Sequence, residues 1–186
     1  MIVAVVQRGH VLVVSGPPAA GKTTTASLLA ARRSPSVHLH ADDFWGFVMN
    51  GYVDPWLAAA YEQNVVVIDA ACTSAGIFAR GRYHVVLDAC LGPWFVPDLL
   101  ALIGPDIPVD YVLLMPSLDA IIRQLAARTD HGFTSEDATR HMYGEFASTL
   151  TGVEGHVIDP AGASPEDTAD LIEQAAEQGR LRIAGR

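Results

Sequence analysis

The feature that most constrains the fold is a glycine-rich loop placed between an apolar run and a segment of helical character. Residues 11–15 read VLVVS, the loop reads GPPAAG, and Lys22 and Thr23 follow it directly. This order fits the pattern G-x-x-x-x-G-K-[ST] in full, which is typical of a loop whose backbone amides surround phosphate groups. An ordinary glycine turn is the alternative, but the strand before the loop and the helix after it favour phosphate binding.

Each fixed position of this loop has a physical task. Gly16 lets the chain leave the strand sharply, and Gly21 lets the backbone come close to the phosphates. Lys22 is expected to reach the β- and γ-phosphates of ATP, and the Thr23 hydroxyl to ligate Mg²⁺. The two prolines of the loop have no N–H, so the amides that follow them must face the phosphates. The residues predicted to bind the nucleotide are Gly16, Ala19, Ala20, Gly21, Lys22, Thr23 and Thr24.

Apolar runs alternate with longer segments of helical period, which predicts an α/β fold. We expect a five-stranded, mainly parallel sheet with helices on both faces. The predicted strands cover residues 11–15, 37–41, 83–89, 109–115 and 153–159. The predicted helices cover residues 22–33, most of 54–80, 117–128, 135–150 and 165–177, and residues 93–103 are either a short helix or a loop. The first six residues also have strand character, but the pattern gives them no place in the sheet. The length of 186 residues suits a single domain, and there is no interdomain linker or internal repeat.

Composition argues against several functional classes. Half of the residues are hydrophobic and 18% are charged, which excludes a disordered chain. The formal net charge of −9 argues against a nucleic-acid partner. The apolar start of the chain is interrupted by QRGH and has no signal-type cleavage site, so we expect no membrane partner and a cytoplasmic location. Cys72 and Cys90 are expected to be buried, reduced thiols.

Two acidic residues follow the second predicted strand, in the stretch HADDFW. Because the carboxyl ends of parallel strands meet at one edge of a sheet, Asp42 and Asp43 are expected beside the phosphate loop. A carboxylate there can accept a hydroxyl proton or hold a hydroxyl in line with the γ-phosphate. We predict that role for Asp42, with Asp43 as its neighbour at the substrate. A solvated turn that caps the next helix is the alternative.

Two apolar runs end in aspartate, and either could supply the acid that holds Mg²⁺. VVVID ends at Asp69, and HVVLD ends at Asp88. Asp88 follows a clear turn and precedes a clean exit from a strand, whereas Asp69 lies within a long helix-compatible segment. We therefore predict Thr23 and Asp88 as the metal-binding residues and keep Asp69 as the alternative.

Aromatic residues are concentrated after the second and third predicted strands, where they could pack in the core or contact a half-apolar acceptor. The predicted substrate-binding residues are Asp43, Phe44, Trp45, Tyr52, Trp56 and Trp94. His38 and His40 share one face of the second strand. Two histidines without a third ligand nearby in sequence are more often packed or hydrogen-bonded than bound to zinc.

In their order along the chain, several stretches resemble a known family. They are SGPPAAGKTTTASLL, HADDF, HVVLDACLGPW, IIRQLAARTD and HVIDPAGASPEDTADLI. Together they resemble the small P-loop kinases that include chloramphenicol phosphotransferase and the zeta-toxin kinases, over most of the chain. The resemblance implies a P-loop NTPase fold with a short lid, in a single kinase domain that spans residues 1–186.

The resemblance also implies roles for individual residues. The first aspartate after the second strand is the base that receives the hydroxyl proton in chloramphenicol phosphotransferase, and Asp42 matches it. A lid at RTDHGF would bring Arg128 to the transferring phosphate, with Arg123 as the second candidate and Arg140 as the third. The loop after the last strand, with Ala161, would run past the adenine. The stretch FWGFVMNGYVDPW is unlike the chloramphenicol enzyme and leaves the acceptor open.

These observations predict a phosphotransferase that uses ATP and Mg²⁺ and acts on a hydroxyl of a small molecule. Antibiotics and nucleotide sugars are acceptors in the families that the chain resembles. Two alternatives stay open: a kinase of nucleosides, nucleotides or polynucleotide ends, and a nucleotide-dependent switch or partner-binding ATPase. The sequence gives neither a strict preference for ATP over GTP nor an oligomeric state.

Overall fold

The computed structural model describes residues 9–127 and 134–184, which form seven α-helices and six strands in these ranges. In chain order they are β1 (His10–Ser15), α1 (Lys22–Ala31), β2 (Ser36–His40), α2 (Asp42–Trp45), α3 (Tyr61–Arg80), β3 (His84–Asp88), α4 (Val96–Ile103), β4 (Val109–Leu114), α5 (Leu118–Ala126), α6 (Glu136–Ser148), β5 (Val157–Ile158), α7 (Pro165–Glu177) and β6 (Arg182–Ala184). The strand character of residues 1–6, Arg128 and the loop at 129–133 all fall outside the described residues.

The sheet has the order β2-β3-β1-β4-β5, and all neighbours in this order are parallel. These are the five predicted strands, although β5 is only two residues long because residues 154–156 form a 3₁₀ turn. A sixth strand, β6, pairs antiparallel with β4 and was not predicted. Its three residues carry no readable pattern. Its position depends instead on a distant contact, in which Arg182 Nε donates to Asp110 Oδ1 at 2.6 Å.

Alternating residues of β1 supply the two hydrophobic layers on either side of the sheet. Val11 and Val13 belong to the core under α3 and α4, whereas Leu12 and Val14 belong to the core under α1 and α7. The α3–α4 layer includes Ala71, Ala75, Ala79, Leu99 and Ile103, and the α1–α7 layer includes Ala26, Leu29, Ala169 and Ile172. This period of two is what a central strand covered on both faces requires.

Side-chain caps fix the starts of three helices where the sequence predicted them. Ser117 accepts from the Ala120 amide at the start of α5, and Ser135 caps α6 in the same way. Ser164 forms a capping box with Asp167 at the start of α7, where a proline occupies the first turn. Among the described residues, no helix combines the length and the apolar character needed to cross a bilayer.

Most of the segment 54–80 is helical, as predicted, but α3 begins only at Tyr61 because residues 54–60 form a turn and a short 3₁₀ segment. The acidic pair after β2 lies in the first turn of the four-residue helix α2, where the helix dipole favours negative charge. Strands β1, β2 and β3 end side by side, at Ser15, His40 and Asp88.

Candidate active site

The loop at residues 16–21, called here the phosphate loop, joins β1 to α1 at the carboxyl edge of the sheet. Gly16 has φ of +145°, and a Cβ on it would lie 2.3 Å from the carbonyl oxygen of Leu114. Gly21 has φ of +90°, directly before the first turn of α1. Only glycine adopts both conformations readily, so the backbone dictates these two positions of the motif.

Lys22 lies almost buried at the start of α1. Its Nζ donates to the Pro17 carbonyl oxygen at 3.0 Å and to the Cys90 sulfur at 3.1 Å. Burial alone would lower the pKa of Lys22, but the neighbouring Cys90 and the Asp88 carboxylate hold that pKa above its ordinary value. The side chain is therefore a cation folded back over its own loop.

Asp88, at the end of β3, is 1% exposed, and its Oδ2 has no hydrogen-bond partner among the described residues. The Nε2 atoms of His40 and His38 lie 3.6 and 3.8 Å from that oxygen. Burial by itself raises the carboxyl pKa, yet His38, Lys22 and Thr23 together hold the pKa of Asp88 below its ordinary value. The carboxylate is thus ionised at neutral pH, with an oxygen to spare. Asp69, the alternative, lies inside α3 instead of at a strand end.

His40 connects the phosphate loop to the acidic pair. Its Nε2 lies 3.4 Å from Thr23 Oγ1 and 3.8 Å from Asp42 Oδ2. Its Nδ1 lies 3.2 Å from Asp43 Oδ1. The carboxylates of Asp42 and Asp43 themselves are mostly exposed, at 59% and 71%. Thr23, Asp88 and the acidic pair therefore surround one imidazole at the sheet edge.

The sequence did not predict three contacts of this site, those of His38 and His40 with Asp88 and that of Cys90 with Lys22. Alternation along β2 puts both histidines on one face, toward the adjacent end of β3. Combining that alternation with the strand order would have pointed to Asp88. The approach of Cys90 to Lys22 had no sequence signal, because 68 residues separate the two. Within the two described ranges, no three His, Cys, Asp or Glu side chains form a metal-binding group.

Residues 44–57, called here the aromatic segment, follow the acidic pair and are fastened to α3. Trp45 Nε1 donates to Asn64 Oδ1 at 2.9 Å, and Asn64 Nδ2 donates to the Pro55 carbonyl at 2.7 Å. Gln63 both accepts from the Val53 amide and donates to its carbonyl, at 2.9 and 2.7 Å. These four hydrogen bonds hold a segment that has no regular secondary structure of its own after Trp45.

The predicted acceptor residues separate into two groups. The rings of Phe44 and Phe47 are 5.5 Å apart, and Tyr52 and Trp56 are 46% and 41% exposed. Burial, Asp54 and then Asp42 raise the pKa of the Tyr52 hydroxyl. Trp94 instead lies after β3, with its ring 5.3 Å from Phe146 of α6.

The helices on either side of the predicted lid adjoin the phosphate loop. Ile121 and Leu125 of α5 pack on Ala19, whereas Arg123 between them is exposed. Arg140 of α6 is paired with Glu136 at 2.7 Å. Arg128, the preferred lid arginine, lies outside the described residues. After β5, the Ala161 amide donates to Asp159 Oδ1 at 2.8 Å, in the loop predicted to pass the adenine.

A family model described as "AAA domain" matches residues 11–153, which is more than half of the chain. No curated protein matches the sequence significantly. Among solved structures, the tunicamycin resistance protein of Deinococcus radiodurans is similar over 96% of this chain and 100% of its own, with a TM-score of 0.66 and 17% identity.

Two further structures have the same fold. A sugar kinase from Janibacter sp. has a TM-score of 0.66 and 17% identity, over 96% of this chain and 99% of that one. Shikimate kinase from Acinetobacter baumannii, in complex with shikimate, has a TM-score of 0.61 and 19% identity, over 94% and 97%. At this level of identity the similarity concerns the fold, which confirms the predicted P-loop kinase architecture.

Proposed function

Because the chain belongs to the AAA domain family and has the fold of small P-loop kinases, we propose that it is a phosphotransferase. The proposed reaction depends on ATP and Mg²⁺ and transfers phosphate to a hydroxyl of a small molecule. One observation carries the proposal. The start of α1, the buried Asp88 and the exposed Asp42 converge at one sheet edge, with His40 within 3.8 Å of each. A triphosphate on the loop would therefore have a carboxylate close to its terminal phosphate.

The donor side consists of the phosphate loop and Lys22. Amides after Pro18 and the start of α1 would bind the phosphate oxygens, because successive N–H groups and the helix dipole both favour an anion there. The Lys22 ammonium would exchange the Pro17 carbonyl for the β- and γ-phosphates. Its long side chain needs only to rotate, since the residue already opens the helix.

The residues at this edge fit a magnesium ion. Asp88 offers an ionised carboxylate with one unpartnered oxygen, and Thr23 offers an exposed hydroxyl close to it. Mg²⁺ in kinase sites takes few protein ligands and completes its shell with water and phosphate oxygens, so no larger ligand cluster is needed. When bound, the ion supplies positive charge that stabilises the terminal phosphates during transfer.

Asp42 would act on the acceptor. As the hydroxyl oxygen forms its bond to the γ-phosphorus, the bond from that phosphorus to the β–γ bridging oxygen breaks and ADP leaves. The hydroxyl proton passes to the Asp42 carboxylate, which is exposed and so accessible to an incoming molecule. Arg128, with Arg123 as the second candidate, would add positive charge from the lid. A nucleotide switch would have no need of a carboxylate in this position.

The test is transfer from γ-labelled ATP to a panel of hydroxylated metabolites, nucleosides and antibiotics. We expect a labelled phosphate monoester in equal amount to the ADP formed, with ³¹P NMR identifying the phosphorylated oxygen. Steady release of ADP and inorganic phosphate, with no labelled monoester from any compound, would contradict the proposal and favour a switch or ATPase.

The sequence offers an independent measure of nucleotide binding at the loop. Lys22 is the only lysine of the chain, so amine acylation can occur only there and at the N-terminal amine. MgATP should slow acylation of Lys22 strongly and leave the N-terminal amine unaffected. Equal acylation of Lys22 with and without MgATP would contradict nucleotide binding at the phosphate loop.

A further inference from the structure

We propose that the acceptor is an uncharged or cationic alcohol with an aromatic or apolar body, and that the site selects against anionic acceptors. The inference rests on the proposed function and deepens it, because it assigns a chemical class to the molecule that meets Asp42. It is carried by two independent features of the same sheet edge: a distribution of charge and a preformed apolar surface.

The first feature is a long stretch without positive side chains. Between residues 34 and 122 the chain contains only two arginines, Arg80 and Arg82, and no lysine. Arg80 ends α3 and donates to the Ile103 carbonyl at 3.0 Å, and Arg82 lies in the turn that enters β3. Both therefore lie at the amino edge of the sheet. The loops that leave β2, β3 and β4 at the carboxyl edge contain neither lysine nor arginine.

Negative charge is instead concentrated around the aromatic segment. Asp42 and Asp43 precede it, Asp54 lies within it, and Glu62 begins the helix to which it is fastened. Together with burial, the carboxylates of Asp54 and Asp42 raise the pKa of the Tyr52 hydroxyl, so one aromatic side chain of the segment lies within their field. A carboxylate or phosphate on the acceptor would meet this field without a counterion, which is how a site rejects a ligand.

The positive groups that could reach this edge have other roles in the proposed reaction. Lys22 belongs to the donor phosphates, and Arg128 and Arg123 to the phosphate in transfer. Arg140 is already paired with Glu136. His40 is already shared among the carboxylates of Asp42, Asp43 and Asp88. None of these arginines belongs to a loop that follows β2 or β3, where the acceptor would rest.

The second feature is the apolar surface itself. Phe47 is 71% exposed and Met49 85%, beside the partly exposed Tyr52 and Trp56. Exposed large apolar side chains gathered in one segment mark a binding surface more often than chance solvent exposure. The hydrogen bonds from Asn64 and Gln63 hold the side chain of Trp45 and the backbone at Val53 and Pro55 on either side of these residues. The exposed apolar side chains suit the aryl or alkyl body of an alcohol, and the surrounding carboxylates accept an acceptor that is neutral or carries an amine.

The chain provides its own reporter for acceptor binding. Its three tryptophans are Trp45, Trp56 and Trp94, two in the aromatic segment and one after β3. Three probes share a benzyl group and a hydroxyl and differ in charge. The neutral probe is 3-phenyl-1,2-propanediol (phenylpropanediol), the cationic probe is phenylalaninol and the anionic probe is phenyllactate. We expect a titration of tryptophan emission to give a Kd for phenyllactate at least tenfold higher than for the other two, about 1.4 kcal/mol. Equal or tighter binding of phenyllactate, or no change of emission with any probe, would overturn the inference.

A charge-reversal pair localises the effect. Asp54→Lys puts a cation into the aromatic segment, and Glu177→Lys makes the same change of net charge at the exposed end of α7. We expect Asp54→Lys to reduce the discrimination against phenyllactate by about tenfold and Glu177→Lys to leave it unchanged. Asp54→Asn removes the negative charge without adding a cation, so it should reduce the discrimination by a smaller factor. It replaces Asp54→Lys if the lysine disturbs the turn. Identical discrimination in all three variants would contradict the inference.

Failure of this inference is distinguishable from failure of the proposed function. With γ-labelled ATP, label on phenyllactate at the rate seen for phenylpropanediol would refute the charge selection while the transferase stands. The expected order of binding without label on any alcohol of the wider panel would refute the transferase while the charge selection stands.

Discussion

The phosphate loop and the aromatic segment lie on the same edge of the sheet, yet they are built in opposite ways. Most of the phosphate loop is buried, and its shape depends on backbone conformation at Gly16 and Gly21 and on contact with the end of β4. No residue of the aromatic segment is buried, and side-chain hydrogen bonds from α3 hold it. One region is part of the core, and the other is attached to it.

This difference suggests how proteins of this fold keep the same phosphate donor while the molecule that accepts the phosphate differs. A loop integrated into the central strand cannot vary without cost to the core. A segment fixed by Asn64 and Gln63 can change its exposed side chains freely, provided that these anchors remain. The predictions below probe the two regions with paired substitutions.

The largest effect is expected on the donor side. Lys22→Met removes the cation proposed for the terminal phosphates, and loss of one such group lowers the rate of transfer by about 100- to 1,000-fold. Arg32→Met, directly after the same helix, removes the same charge from surface ion pairs with Asp170 and Glu173 and should leave the rate within about twofold. The measurement is kcat/KM for ATP, and equal losses in the two variants would contradict a specific role for Lys22.

The second prediction compares one glycine from each region. Gly16→Ala combines a positive φ with a Cβ only 2.3 Å from the Leu114 oxygen, so we expect a loss of about 3 kcal/mol in the free energy of unfolding. Gly51→Ala has φ of +76° but no atom within 4 Å, so we expect about 1 kcal/mol. Urea denaturation measures both. A larger loss at Gly51 would reverse the assignment of core and attached regions.

The third prediction concerns the anchor of the aromatic segment. Asn64→Ala removes the partner of both Trp45 Nε1 and the Pro55 carbonyl, at a cost of about 1 to 2 kcal/mol. We expect KM for the acceptor to rise several-fold while KM for ATP is unchanged. Ser74→Ala, at a partly buried position of the same helix away from the aromatic segment, is the control. A parallel rise of both KM values would show that the two regions are not independent.

The smallest effect is expected at the amino edge of the sheet, away from both regions. Burial, with His10 and Arg33 nearby, lowers the pKa of His84 to about 4. The unfolded chain therefore binds the proton more tightly, so stability is complete above pH 6.5 and declines as the pH falls toward 4. His84→Gln should lose less stability than the wild type between pH 7 and pH 5 in urea denaturation, with kcat unchanged at pH 7. The same decline in both proteins would contradict this.

The sequence predicts the strand, loop and helix around the phosphate loop well, because local rules govern them. The motif, the strand before it and the helix after it all lie within residues 10–31, and the caps at Ser117, Ser135 and Ser164 are equally local. What the sequence misses depends on distant contacts. The sixth strand is fixed by Arg182 and Asp110, which are 72 residues apart.

The region proposed to bind the acceptor was predicted only in part. The positions of Asp42 and Asp88 follow from strand ends, so the sequence predicts their meeting. The central place of His40 needs the strand order as well, because its neighbour across the sheet is Asp88 of β3. The shape of the aromatic segment depends on Asn64 and Gln63, whose long polar side chains carry no pattern that distinguishes an anchor from a solvated residue.

The central claim is that Asp42 receives the proton of the hydroxyl that is phosphorylated. Its most direct test is single-turnover transfer from γ-labelled ATP by Asp42→Asn, beside the matched neighbour Asp43→Asn and with the Kd for ATP measured for each. We predict that Asp42→Asn lowers transfer by about 100-fold or more, that Asp43→Asn costs much less, and that ATP binds both variants as it binds the wild type. Full transfer by Asp42→Asn would contradict the account.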